Sequence, residues 1–227
     1  DHYSPRAGVS AVTISAAGKT SADYRLASVR DLGLAGSDFE LQAPCGALRL
    51  MLDLPGLHNA ANALAAAALA LEAGASLAQV RSGLEQMHSV KGRLVVKAGR
   101  NGSVILDDTY NASPASFKAA IDVLATQKGL RIVVGGDMGE LGSLETAGHR
   151  EVGAYARAKG IEHFYATGTL MKEALAAFGA GAVHAADCAA LAALLQPLLG
   201  NNVSVLVKGS RSAGMERVAQ LLMDIGD

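Results

Sequence analysis

The chain has 227 residues, half of them hydrophobic and 18% charged, with a formal net charge of −1. These values suit one large or two smaller globular domains; they exclude the basic stripe of a nucleic-acid binder and the polybasic patch of a membrane-surface protein. The longest apolar stretch, residues 60–71, contains Asn62 and is too short to cross a bilayer, and no charged-then-apolar secretory pattern opens the sequence.

The alternation of Val9-Ser10-Ala11-Val12-Thr13-Ile14 predicts a strand, with residues 22–29 as its hairpin partner. Residues 38–42 and 48–52 predict a second hairpin around Ala43-Pro44-Cys45-Gly46. Between the first two strands, Gly18-Lys19-Thr20 imitates the end of a phosphate-binding loop, but Thr13 stands where that loop needs its first glycine, so a turn explains Gly18 better. Cys45 and Cys188 lie far apart without metal-type spacing and read as two reduced thiols, which fits a cytoplasmic protein. Leu54-Pro-Gly-Leu-His-Asn-Ala-Ala-Asn62 then opens an Ala/Leu-rich helix that ends near Gly74, and a second helix follows over residues 77–87. Asn59 and Asn62, three apart, share a face of the first turn. Two amides there satisfy a purine edge or simply cap the helix, and capping is the simpler reading of the amides alone. Residues 1–88 lack an obvious central sheet and read as the tail of a larger domain; residues 88–93 read as a hinge.

After Arg93 the pattern becomes regular. Strands are predicted at 94–97, 104–106, 131–134, 163–166, 182–184 and 203–207, and helices at 114–127, 145–159, 171–178, 188–199 and 215–225. Such alternation specifies an α/β fold with a parallel, helix-covered, doubly wound sheet. Ligands in these sheets bind at the carboxyl ends of the strands. Three loops predicted there carry chemistry. Asp107-Asp-Thr-Tyr-Asn-Ala-Ser-Pro114 ends a strand in two carboxylates and starts a helix at Ser113-Pro114; either carboxylate alone also reads as a solvated turn residue. Gly135-Gly-Asp-Met-Gly-Glu-Leu-Gly142 combines glycines with Asp137 and Glu140, in a spacing that fits no G-x-G-x-x-G fingerprint and so disfavours a nicotinamide enzyme. Lys208-Gly-Ser-Arg-Ser212 sets two cations before a helix start, an anion-binding combination. Together the three loops favour a site for a polyphosphate or carboxylated substrate.

In this order, the string at 54–62, Gly92-Arg93, Asp107–Pro114, Gly136–Gly142 and Lys208–Arg211 resemble the Mur ligases of peptidoglycan synthesis across essentially the whole chain. Within the family the Asp-Asp-Thr-Tyr-Asn and Gly-Asp-Met-Gly-Glu-Leu-Gly strings are most similar to the branch that adds D-alanyl-D-alanine to UDP-N-acetylmuramoyl-tripeptide. The resemblance implies that residues 1–88 are the β-hairpin and helical tail of a truncated central ATP-binding domain, and that residues 89–227 are the C-terminal Rossmann-like domain. It implies an ATP-dependent cytoplasmic ligase, a monomer, that forms an amide bond through an acyl phosphate. Asn59 and Asn62 would then contact adenine, Arg93 the phosphates and Asp108 the ribose, with Tyr110 and Asn111 lining the nucleotide side. Lys208, Ser210 and Arg211 would hold the dipeptide or peptide carboxylates, with Arg93 and Lys208 as the catalytic cations and Glu140 near the incoming amine. No metal ligand is expected in this chain: the family's phosphate-binding loop, Mg2+ ligands and carbamylated lysine match nothing here and are expected upstream, so the chain alone is expected to be inactive. Another Mur-type or folylpolyglutamate-type ligase, or a non-catalytic ligand-binding module, are the competing readings.

Overall fold

The structure, a computed structural model, describes residues 11–223. The chain divides between His88 and Ser89 into two compact units.

In the first unit, β1 (Ile14–Ser15), β2 (Tyr24–Asp31), β3 (Ser37–Ala43) and β4 (Gly46–Leu52) form one sheet in that spatial order. Period-two alternation decides which face is covered: Phe39 and Leu41 of β3, and Leu48, Leu50 and Leu52 of β4, are buried while their neighbours are not. The covered face packs on α1 (Leu57–Glu72) and α2 (Leu77–Glu85). Ala60, Ala63, Leu64, Ala67 and Ala68 recur at helical spacing along α1, and four small methyls let that helix lie close to the sheet. A capping box between Ser76 and Gln79 starts α2.

The β3–β4 hairpin forms where the sequence predicts it, but the first hairpin does not. Residues 9–10 lie outside the described residues, and β1 runs parallel to β2, whose antiparallel partner is β3. Gly18 does sit in a turn, at φ +73°, with its N–H donating to the Ser15 carbonyl. A continuous sheet therefore exists where none was legible. The reason is that β1 has two residues and the last five of β2 are exposed, so neither carries a strong apolar alternation.

In the second unit, β5 (Val95–Ala98), β6 (Val104–Asp108), β7 (Leu130–Gly135), β8 (His163–Ala166), β9 (Ala182–His184) and β10 (Val203–Lys208) form a sheet in the order β5-β6-β10-β7-β8-β9. All pairs are parallel except β5–β6, which corrects the expectation of a wholly parallel sheet. The connection through Arg100–Gly102 is too short for a parallel crossover, so the chain must reverse. Every residue of β10 is buried, as a central strand requires. Ile105, Ile132, Val134, Val205 and Val207 face α6 (Cys188–Leu195) and α7 (Glu216–Leu222). The opposite face is covered by α3 (Pro114–Ala125), α4 (Glu145–Ala158) and α5 (Met171–Phe178). There Phe164 meets the rings of Phe117 and Phe178 at 6.3 and 5.7 Å. The helix predicted over 188–199 stops at Leu195, because Pro197 converts its last turn to a 3-10 turn. Asp107, Asp108 and Lys208, read from sequence as loop residues, are the last residues of their strands.

Candidate functional site

Insertion of β10 between β6 and β7 fixes which strand ends are neighbours. Lys208 is in register with Asp108 on one side and Gly135 on the other, so the three loops singled out in the sequence leave the same edge side by side. The Gly136 N–H donates to the Lys208 carbonyl at 2.9 Å, and the Ser210 N–H to the Asp137 carbonyl at 3.0 Å, joining the second loop to the third. A Cβ on Gly136 would lie 2.7 Å from those of Ala213 and Met215's side chain, so only glycine permits that approach.

The two carboxylates ending β6 are not solvated turn residues. Asp107 is 3% exposed, takes a 2.6 Å ion pair from Lys97 on β5 and accepts the Thr109 hydroxyl at 2.7 Å. Asp108 accepts the Leu94 N–H at 3.0 Å through Oδ1 and the Lys208 ammonium at 2.6 Å through Oδ2. Lys208 is 2% exposed, also donates to the Asn111 carbonyl at 2.9 Å, and lies over the Phe117 ring. Burial pulls its ammonium below the ordinary lysine range, and the Asp108 carboxylate opposes that pull. Lys208 is thus a buried tie between β10 and the Asp108–Asn111 segment, which corrects its expected role as a cation open to a ligand. Each Asp108 oxygen keeps a second lone pair, so a held carboxylate can still accept another hydrogen bond.

Two cations stand open here, Arg93 and Arg211. Gly92, at φ +72°, brings its backbone against the next loop, and its carbonyl accepts the Tyr110 N–H at 2.9 Å. That approach sets the Arg93 guanidinium 4.5 Å from the centroid of the Tyr110 ring, while the Arg211 guanidinium lies 5.8 Å from the same centroid. Both arginines are exposed, and neither pairs with a carboxylate among the described residues. Tyr110, Asn111, Glu140, Ser210 and Arg211 line one cleft of about 480 Å3. Asn111 folds its own Oδ1 back onto the Ala112 N–H, and Ser210 shares a 3.0 Å hydrogen bond with the Ser212 hydroxyl. Glu140 is exposed and holds φ +61°, a left-handed conformation uncommon for a side chain with a Cβ. A neighbouring cleft of about 310 Å3 is lined by Asp137, Thr167, Cys188, Ser212 and Arg217. Asp137 caps α5 by accepting the Met171 N–H at 2.8 Å, and burial raises the pKa of the Cys188 thiol.

In the first unit, Gly56 rather than an asparagine occupies the N-cap of α1, at φ +95°. Asn59 donates to the Pro55 carbonyl at 2.9 Å, and Asn62 reaches the Asn59 Oδ1 at 3.4 Å, long for a hydrogen bond, and is exposed. Two residues escaped the sequence reading. Lys97 had no signal beyond its place on a strand. His149 belongs to the buried stripe of α4, where a histidine between apolar positions was the available clue.

Residues 92–211, more than half of the chain, match the family described as the Mur ligase, glutamate ligase domain. The UDP-N-acetylmuramoyl-tripeptide–D-alanyl-D-alanine ligase of Escherichia coli is 43% identical over 193 residues, which span 84% of this chain and 42% of that protein. The ligase of the same name from Haemophilus influenzae is 42% identical, over 83% of this chain and 42% of its own length. The chain thus spans less than half the length of these relatives. A crystal structure of MurF from Acinetobacter baumannii superposes with a TM-score of 0.80 at 33% identity, over 88% of this chain and 45% of that one. A MurF ligase from Thermotoga maritima in complex with ADP shares the fold, with a TM-score of 0.76 at 24% identity over 89% of this chain and 46% of that one. The strand-end loops and the family match occupy the same residues, and the chain belongs to the Mur ligase family through its glutamate ligase domain.

Proposed function

We propose that this chain forms the C-terminal portion of an ATP-dependent ligase that joins D-alanyl-D-alanine to UDP-N-acetylmuramoyl-tripeptide. In this reading residues 1–88 are the end of the central ATP-binding domain and residues 89–227 the C-terminal domain. The observation that carries it is the pair of guanidiniums, Arg93 and Arg211, held against one tyrosine at the carboxyl edge of the sheet with no carboxylate partner among the described residues. Cations left uncompensated at a strand-end cleft fit an anionic ligand, and relatives at 43% and 42% identity carry that ligase name.

ATP supplies the activation of the peptide carboxylate as an acyl phosphate. In the proposal Arg93 contacts the phosphates and stabilises charge on the transferring group. Asp108, held in place by Lys208 and Leu94, accepts from the ribose, Tyr110 and Asn111 line the nucleotide side, and Asn59 and Asn62 recognise adenine. Arg211 and Ser210 bind carboxylates of the peptide substrates, and Glu140 faces the incoming amine. Lys208 enters as a positioning residue, since its ammonium is already occupied. Among the described residues no group of three or more His, Cys, Asp and Glu could hold a metal ion.

The test is an amide-ligation assay on the complete polypeptide with UDP-N-acetylmuramoyl-tripeptide and ATP, offering D-alanyl-D-alanine or single amino acids. The proposal predicts turnover with the dipeptide alone and a 10²–10³-fold loss, on the order of one removed transition-state contact, in Arg93→Ala. Turnover with a single amino acid instead, or an Arg93→Ala protein as active as wild type, contradicts it.

A further inference from the structure

His149 is fully buried in α4, and both of its ring nitrogens are engaged. Nδ1 lies 2.6 Å from the Glu145 carbonyl, which can only accept, so Nδ1 carries the proton. Nε2 lies 2.9 Å from the Met138 backbone nitrogen, which can only donate, so Nε2 is the acceptor. One tautomer, neutral, is forced by two backbone groups. The second of those groups is the midpoint of the Gly135–Gly142 loop, between Asp137, which lines one cleft, and Glu140, which lines the other.

The helix that presents His149 is itself pressed against its surroundings. A Cβ on Gly148 would meet the Pro114 ring at 2.9 Å and Leu141 at 3.2 Å, and a Cβ on Gly153 would meet the Ala174 carbonyl at 1.9 Å. Glycine at both positions lets α4 seat on α5 while its first turns touch Pro114, at the end of the Asp108–Asn111 loop, and Leu141, inside the acidic loop. A buried imidazole is not needed to fill that space; an apolar side chain would fill it equally. What the imidazole supplies there and an apolar side chain does not is an acceptor for the Met138 N–H, which would otherwise be a buried donor without a partner.

We propose that His149 is a positioning residue that sets the conformation of the Gly135–Gly142 loop through Met138, and so holds Asp137 and Glu140 at the two clefts. Its consequence for catalysis rests on the ligase reading above; its effect on the loop does not. The experiment compares His149→Phe, His149→Gln and, as a control for loss of packing on the same helix face, Val152→Ala, all in the complete polypeptide. Hydrogen exchange at the Met138 amide is expected to rise about tenfold in His149→Phe over both wild type and Val152→Ala, and to stay near wild type in His149→Gln, whose amide oxygen can accept in place of Nε2. In the ligation assay His149→Phe is expected to lose about tenfold in kcat/KM for D-alanyl-D-alanine with the KM for ATP unchanged, and His149→Gln to recover most of it. Exchange at Met138 unchanged in His149→Phe, or raised equally by Val152→Ala, overturns the proposal. So does faster exchange with ligation matching Val152→Ala. A wild-type protein that ligates nothing removes the ligase reading, while the exchange pattern still decides whether His149 holds the loop.

Discussion

The two edges of the six-stranded sheet are built from the same strands and do opposite things. At the amino edge, turns press together and an ion pair links neighbouring strands. Gly129, at φ +80°, would place a Cβ 2.2 Å from the Asn202 carbonyl, and Gly102, at φ +77°, one 2.0 Å from the Asn201 side chain. The Leu130 N–H donates to Asn202 at 2.8 Å, and Arg131 is paired with Glu162 at 2.6 Å. At the carboxyl edge, two carboxylates are matched internally by lysines, but Arg93 and Arg211 form no ion pair among the described residues, and Arg211 lines an open cleft. At one edge the chain closes its turns against each other; at the other it uses buried ion pairs to hold the loops and leaves two arginines exposed.

That contrast can be broken from either side. The largest effect is expected from Lys208→Met, which strips the partner from Asp108 and the donor from the Asn111 carbonyl. Breaking a buried ion pair costs about 3–5 kcal/mol, and the lower end applies because Asp108 keeps some contact with water. Denaturant unfolding should report that loss, and ligation per folded molecule should fall as well. A variant as stable as wild type would mean that the pair does not hold the loop.

A smaller loss, with the opposite signature, is expected at the other edge. Gly129→Ala must move the backbone against Asn202 and adopt a left-handed φ, on the order of 1–3 kcal/mol of stability, while ligation per folded molecule stays at the wild-type level. Reduced activity in the fully folded variant would erase the distinction between the edges. The smallest effect belongs to Arg131→Ala. Its partner Glu162 is held below the usual carboxylate range: partial burial works to raise it, and the hydrogen bonds from Arg131 outweigh that. Because the pair is partly exposed and screened, about 0.5 kcal/mol is expected in thermal unfolding. The carboxylate's depressed pKa means that this stability is present above the ordinary glutamate range and is lost as pH falls through the lowered value, so wild type and variant should converge in acid.

The sequence made the second unit legible because its strands are short apolar runs cut off by glycine, proline and acid, and its helices begin at residues such as Ser113-Pro114. It left the first unit's sheet unread, since the exposed half of β2 alternates weakly. The same physics divides the site. Asp107–Asn111 and Lys208–Arg211 stood out as charge at strand ends. Their partnership did not, because only the placement of β10 beside β6 puts Lys208 against Asp108. A lysine in a sequence reads as an available cation; burial to 2% exposure makes it a structural one.

The direct measurement is an amide-resonance titration of the complete polypeptide with ATP, comparing both edges of the same sheet. Asp108, Tyr110 and Asn111 are expected to shift, the shifts to be lost in Arg93→Ala, and Gly129 and Asn202 not to move. Shifts centred on Gly129 and Asn202, or an Arg93→Ala protein that responds like wild type, would contradict this expectation.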